Sequence, residues 1–285
     1  MNIPYLRNLC TQIRRDILRM VNNAKSGHPG GSLGCTEYFV ALYQLMKYNA
    51  KKFTLKGSEE DLFFLSNGHI SPVYYSTLAR FGFFPIKELS SFRKINSRLQ
   101  GHPSVYNNLP GIRISSGSLG QGMSVSIGAA LSKKLNKEID TIIYSLHGDG
   151  ELNEGQIWEA VLYAGSKKID NYIATIDYNG QQIDGTTDEV LPLGNLKKKF
   201  QSFEWKVLEE SNGNNLTKVI EILKEAKKET RQGYPVVIIL HTKMGYGVDF
   251  MIDNHIWHGK YPNDQELKEA LNQLPKSLLE DYPLS

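Results

Sequence analysis

A chain of 285 residues with 40% hydrophobic and 22% charged residues is long enough to bury a substantial core and has the make-up of an ordinary soluble protein. Its formal charge of +3 excludes a broad nucleic-acid-binding face, and the short run Lys197-Lys198-Lys199 reads as a solvated patch. Apolar runs such as residues 236–240 are far too short to cross a bilayer, no signal-peptide core follows Met1, and Cys10 and Cys35 stand in no metal-ligand spacing. A cytoplasmic protein with two packed thiols, and with neither nucleic acid nor membrane as partner, is expected.

Ile3, Leu6, Leu9, Ile13, Ile17, Met20 and Val21 recur at helical spacing and predict a helix over residues 3–24 with one buried stripe. Ser26-Gly27-His28-Pro29-Gly30-Gly31 should break it, because consecutive Gly and Pro cannot continue a helix. A second helix is expected over residues 36–48, and Leu62-Phe63-Phe64-Leu65 reads as a short buried strand running into Ser66-Asn67-Gly68-His69. From residue 119 the chain alternates. Helices are expected over residues 119–135, 154–166 and 216–230, and strands over 141–146, 172–177, 205–208 and 236–242. Such alternation predicts an α/β fold, with a mostly parallel central sheet and helices on both faces, in one domain over residues 1–285.

Ligands of such sheets gather at the carboxyl ends of the strands. Two loops lie there: His147-Gly148-Asp149-Gly150-Glu151 and Asp177-Tyr178-Asn179-Gly180-Gln181. The spacing of Asp149 and Asn179 matches one strand–helix–strand crossover, which would set a carboxylate beside an amide oxygen. Hard oxygen donors of this kind suit magnesium carrying a diphosphate and not zinc, which favours Cys and His. Gly148 and Gly150 would admit a bulky anion, and a helix starting near Glu154 would aim its N-terminal dipole at it. Taken alone, Gly-Asp-Gly is more readily a tight turn. An EF-hand is a poor match because its alternating acidic ligands are missing, and neither a Rossmann fingerprint nor a Walker lysine occurs.

The spacing of Asp149 and Asn179, within Gly-Asp-Gly-Glu and Asp-Tyr-Asn-Gly, resembles the thiamine diphosphate signature. Ser26-Gly27-His28-Pro29-Gly30, Leu65-Ser66-Asn67-Gly68-His69, Gln100-Gly101-His102-Pro103, Ser116-Gly117-Ser118-Leu119-Gly120-Gln121-Gly122 and Trp257-His258-Gly259 are similar to the motifs of transketolases, in the same order. The resemblance implies a thiamine-diphosphate-binding fold and transfer of a two-carbon ketol unit from a ketose to an aldose. It implies magnesium on Asp149, Asn179 and the backbone carbonyl of Gln181. His69, Gly117, Ser118, Leu119, Gly150, Asn179 and His258 would contact thiamine diphosphate, and Ile183 would pack on its rings. Glu154 corresponds to a carboxylate linking active sites across a dimer, and His28, His102 and His258 would line the sugar funnel.

Those histidines each adjoin Gly or Pro in loop-like segments, where catalytic groups concentrate, and imidazoles suit proton transfer near neutral pH. His241 and His255 match no motif. Ser118 stands where full-length transketolases usually carry Pro, His147 where an apolar residue or Gly is usual, and Ser104 where an acidic residue is common. No role is assigned to His147. The resemblance further implies that the pyrimidine-binding and C-terminal domains, which carry the activating glutamate and the arginine-rich sugar-phosphate site, lie on a C-terminal transketolase subunit. Two copies of each chain are expected. A subunit of another thiamine diphosphate enzyme, a non-catalytic cofactor-binding module and a nucleotide-binding enzyme are the alternatives. Ordinary sugar phosphates and sulfonated or branched sugars all fit as substrates.

Overall fold

The computed structural model describes residues 1–283. The helices are α1 (Ile3–Ala24), α2 (Pro29–Gly34), α3 (Thr36–Leu45), α4 (Ser71–Arg80), α5 (Gly122–Leu135), α6 (Gly155–Ser166), α7 (Thr187–Val190), α8 (Leu196–Ser202), α9 (Leu216–Glu229) and α10 (Asp264–Gln273). The strands are β1 (Leu62–Leu65), β2 (Ile143–Gly148), β3 (Tyr172–Tyr178), β4 (Gln181–Gln182), β5 (Gly185–Thr186), β6 (Lys206–Glu210) and β7 (Val236–His241). Five of them form one sheet in the order β1-β2-β3-β7-β6, every neighbouring pair parallel. The small β4–β5 hairpin is antiparallel and separate.

Helices cover both faces of the sheet, so its strands are continuous apolar runs. Along β7 the side chains of Val236, Ile238 and Leu240 join a core with α1, α3, α4 and α9. Those of Val237 and Ile239 point the other way, into a core with α5, α6 and α8. Burying each such side chain contributes roughly 1.5–3 kcal/mol, which fixes the register of the strand because a one-residue slip would exchange the two faces. Helix α1 is capped by the Asn2 side chain, which accepts from the Tyr5 amide at 3.1 Å, and ends at Lys25 in the left-handed region.

The structure departs from the sequence reading in a few places. Gly27 and His28 do end the first helix, but Pro29 to Gly34 form a short buried helix of their own. Proline is well placed at its first position, and glycines are needed for close packing. A Cβ on Gly30 would lie 2.8 Å from the Trp257 carbonyl oxygen. Residues 119–121 are a turn and not the first turn of α5. A 3-10 turn, Gly150–Asn153, stands between Asp149 and α6, so the α6 N-terminus does not follow the glycine loop directly. Helix α3 stops at Leu45, and β6 starts one residue later than expected. Lys197, Lys198 and Lys199 are exposed, and Cys10 and Cys35 are buried free thiols, as expected.

Candidate functional site

Strands β2 and β3 end side by side, with Gly148 paired to Asp177. The crossover therefore delivers Asp149 and Asn179 to the same edge. One Asp149 oxygen accepts from the amides of Asn179 (3.0 Å) and Gly180 (2.6 Å), and the other accepts from Gly150 (2.8 Å). The Asn179 Oδ1 accepts from the Gln181 amide at 2.9 Å, while its Nδ2 donates to Asp177 at 2.8 Å. A carboxylate offers about four lone-pair sites and an amide oxygen two. Three bonds to Asp149 and one to Asn179 leave each with capacity for a cation. Burial, and then the neighbouring Asp177, push the Asp149 carboxyl up to about 7, and the three backbone bonds offset this only in part. A buried anion in this position calls for a countercharge.

The donor set fits a hard cation. Among the described residues no group of three or more His, Cys, Asp or Glu side chains could hold a metal, so a cation here would rest on the Asp149 carboxylate and the Asn179 amide oxygen with oxygens from elsewhere. Room for an anion is present as well: a Cβ on Gly148 or Gly150 would meet nothing closer than 3.8 Å and 3.5 Å, respectively. A cavity of about 950 Å³ opens at the ends of β3 and β7, lined in part by Asn179, Gly180, Gln181, Thr187 and Lys243.

Beneath this loop lies a carboxylate that the sequence reading missed. Glu151 is fully buried and accepts from the Ser66 hydroxyl, from the Gly120 amide at 2.8 Å and from the Gly148 amide at 3.3 Å. One side chain thus ties the loops after β1, before α5 and after β2. His147, also fully buried, pairs with Glu151 across one turn at 3.5 Å and bonds Ser145 through Nε2 at 2.8 Å. Packing under the loop is therefore what His147 does. The spacing of His147 and Glu151 was visible in the sequence, but the approach of Ser66 and Gly120 depends on sheet order.

Four of the motif histidines meet. Ring centroids of His28 lie 5.2 Å from His69, 5.6 Å from His258 and 6.2 Å from His102, and those of His69 and His258 are 5.0 Å apart. His28 caps the start of α2, which packs on the turns carrying His69 and His258. The β4–β5 hairpin packs on the His258 turn too, and so links it to Gln181. Burial chiefly, then His258, Arg93 and His102, lower the His28 pKa to about 4. Burial also holds His69, His102 and His258 below the usual imidazole range, so all four rings are neutral at pH 7. Gly117, at φ +126°, fits against His102: a Cβ there would lie 2.5 Å from the imidazole.

Ser118 is exposed on the loop before α5, next to the half-buried Leu119. Glu154 is exposed beside Gly120. Ile183 occupies the tip of the β4–β5 hairpin and is 63% exposed. His241 bonds Glu209 at 2.9 Å, and His255 is exposed and outside the histidine cluster.

Residues 6–277 match the family described as transketolase, thiamine diphosphate binding domain. The chain is 36% identical over 272 residues to the 6-deoxy-6-sulfo-D-fructose transketolase subunit SqwG of Clostridium sp., covering 95% of this chain and 96% of that one. It is 35% identical over 266 residues to an apulose-4-phosphate transketolase subunit of Phocaeicola vulgatus, covering 93% and 92%. The solved transketolase from Leishmania mexicana superposes with a TM-score of 0.89 at 27% identity over 98% of this chain, which spans 42% of the length of that one. An α/β sheet with this loop set, matched over nearly the whole chain, defines a thiamine-diphosphate-binding domain, and the protein belongs to the transketolase family.

Proposed function

We propose that this chain is the cofactor-holding subunit of a split transketolase, a single diphosphate-binding domain that acts only with a partner chain. Two relatives of nearly equal length are themselves named as transketolase subunits, which supports the division of labour. The observation that carries the reading is the apposition of Asp149 and Asn179 at the carboxyl end of the sheet, next to loops that gather four histidines.

Asp149, Asn179 and the backbone carbonyl of Gln181 would hold magnesium, with the diphosphate supplying further oxygens. His69, Gly117, Ser118, Leu119, Gly150, Asn179 and His258 would hold thiamine diphosphate, with Ile183 against its rings. When bound, that cofactor supplies the electron sink for breaking and forming a carbon–carbon bond. The chain's own part is to orient and to move protons. His28, His102 and His258 are neutral, and a neutral imidazole can take a proton from a sugar hydroxyl and return it. The exposed Glu154 is available to a carboxylate partner across a two-fold interface.

The partner would supply the pyrimidine-binding and C-terminal domains, in a complex of two copies of each chain, located in the cytoplasm. Substrates would be anionic sugars, as the names of the relatives indicate for those proteins. Mass spectrometry of the cofactor that purifies with the reconstituted complex, together with a coupled ketol-transfer assay, tests this reading. Thiamine diphosphate with activity supports it. A nucleotide in its place, or cofactor without any transfer from a panel of phosphorylated and sulfonated ketoses, would sink it.

A further inference from the structure

Arg93 belongs to no motif, yet it sits where the two substrate-side loops meet. Its Nη1 donates to the Ser26 hydroxyl at 2.6 Å, two residues before His28, and its Nη2 reaches the Gly101 carbonyl at 3.5 Å, one residue before His102. The guanidinium lies against Gly101, where a Cβ would approach its central carbon to 2.8 Å. Its backbone is in the left-handed region at φ +58°, tied to Leu99 by a 2.8 Å hydrogen bond, so the side chain is aimed inward at a conformational cost. The Nε is buried without a partner, and among the described residues no carboxylate pairs with the guanidinium. The guanidinium also lies 5.5 Å from the Phe92 ring centroid, so a hydroxyl, a carbonyl and an aromatic face hold its charge in place without neutralising it.

We propose that Arg93 is a positioning residue that clamps the His28 and His102 loops together and sets a fixed positive charge, paired with no carboxylate among the described residues, beside both of them. This rests on His28 and His102 being the sugar-facing groups. The groups that face His28 are His258, Arg93, His102 and His69, and the charge that faces His102 is Arg93. Among the described residues no acidic group acts on either ring. A fixed positive charge disfavours a second one close by, so Arg93 adds to burial in opposing protonation of His28 and His102.

Histidine titrations followed by NMR on the full chain, labelled with 13C at histidine and assigned with His28→Gln and His102→Gln, test the proposal. In Arg93→Gln both midpoints rise. In Arg93→Lys the charge is kept and the hydrogen-bonded fork is lost, and both midpoints stay near the wild-type values. In the reconstituted enzyme, the acid limb of kcat/KM then moves to higher pH in Arg93→Gln and not in Arg93→Lys. Unchanged midpoints in Arg93→Gln, or equal rises in both variants, would overturn the proposal. Because the titrations need no turnover, a wild-type complex without ketol transfer would count against the transketolase reading alone.

Discussion

The Asp149 carboxylate accepts a hydrogen bond from the Asn179 backbone at 3.0 Å although the two residues are 30 positions apart. That contact is made by one crossover connection, and it sets the geometry of the proposed magnesium site. Asp149→Ala removes the one charged ligand and should abolish the thermal shift produced by magnesium and thiamine diphosphate on the reconstituted complex. Asn179→Ala should reduce the shift without abolishing it, and more than a surface control such as Lys197→Ala. A full shift in Asp149→Ala would remove Asp149 from the site.

Glu151 makes a separate prediction about stability. Its carboxylate is the acceptor for the Ser66 hydroxyl and for the amides of Gly120 and Gly148. Glu151→Ala would strand these buried donors, at roughly 1–3 kcal/mol each before relaxation or entry of water. A loss of roughly 2–4 kcal/mol in urea unfolding of the chain without ligands is expected. A loss as small as that of a surface substitution would mean that the three loops hold together without it.

The low pKa of His28 has a stability consequence with a definite sign. The unfolded imidazole titrates near 6.5 and the folded one near 4, so between these values the unfolded state binds the proton and the folded state does not. Stability contributed by neutral His28 is therefore present above pH 6.5 and is lost as the pH falls toward 4. His28→Gln cannot titrate. Urea unfolding of both chains across this window should show the wild type losing stability faster on acidification, and parallel curves would refute the assignment of a buried neutral imidazole.

His102 is assigned to the sugar, being exposed on one side while its ring packs on Gly117. His102→Ala should bind thiamine diphosphate normally in the complex, as measured by calorimetry, and lose roughly 10²-fold or more in kcat/KM, the size of a lost acid–base contact. A collapse of cofactor affinity with little change in the rate of the loaded enzyme would move His102 to the cofactor side.

Much of this was legible in the sequence, and the physical reasons differ from residue to residue. The apolar stripe of α1 and the run in β7 report burial on one side and on two, so their elements were found nearly to the residue. The apposition of Asp149 and Asn179 was legible because their spacing suits one strand–helix–strand crossover between neighbouring parallel strands. The Pro29–Gly34 helix was missed because its glycines are chosen for contact with Trp257 and Met244 and oppose helix propensity. Glu151 and Arg93 were missed for a shared reason. Of their partners, Ser66 and Gly120 for one and Ser26 for the other lie far along the chain, and although Gly101 is close to Arg93 in sequence, no local pattern marks a side chain that acts between loops.

The exposed groups of the site lead to the last prediction. Ile183, expected against the cofactor rings, is 63% exposed at its hairpin tip, and Leu162 and Tyr163 of α6 and Val125 of α5 are also large apolar side chains open to solvent. Surfaces of this kind, on a chain whose relatives of similar length are named as subunits, are expected to be covered in the working assembly. Purified alone, the chain should self-associate, bind thiamine diphosphate weakly and turn over no ketose. Mixed with a C-terminal transketolase subunit, such as one encoded by a neighbouring gene, it should form a complex of two copies of each chain by light scattering. Tight cofactor binding and ketol transfer should appear together at the same stoichiometry. The two chains and their mixture would be compared in one coupled assay. Substantial transfer by this chain alone would overturn the split-enzyme reading, because that reading places the activating carboxylate on the partner chain.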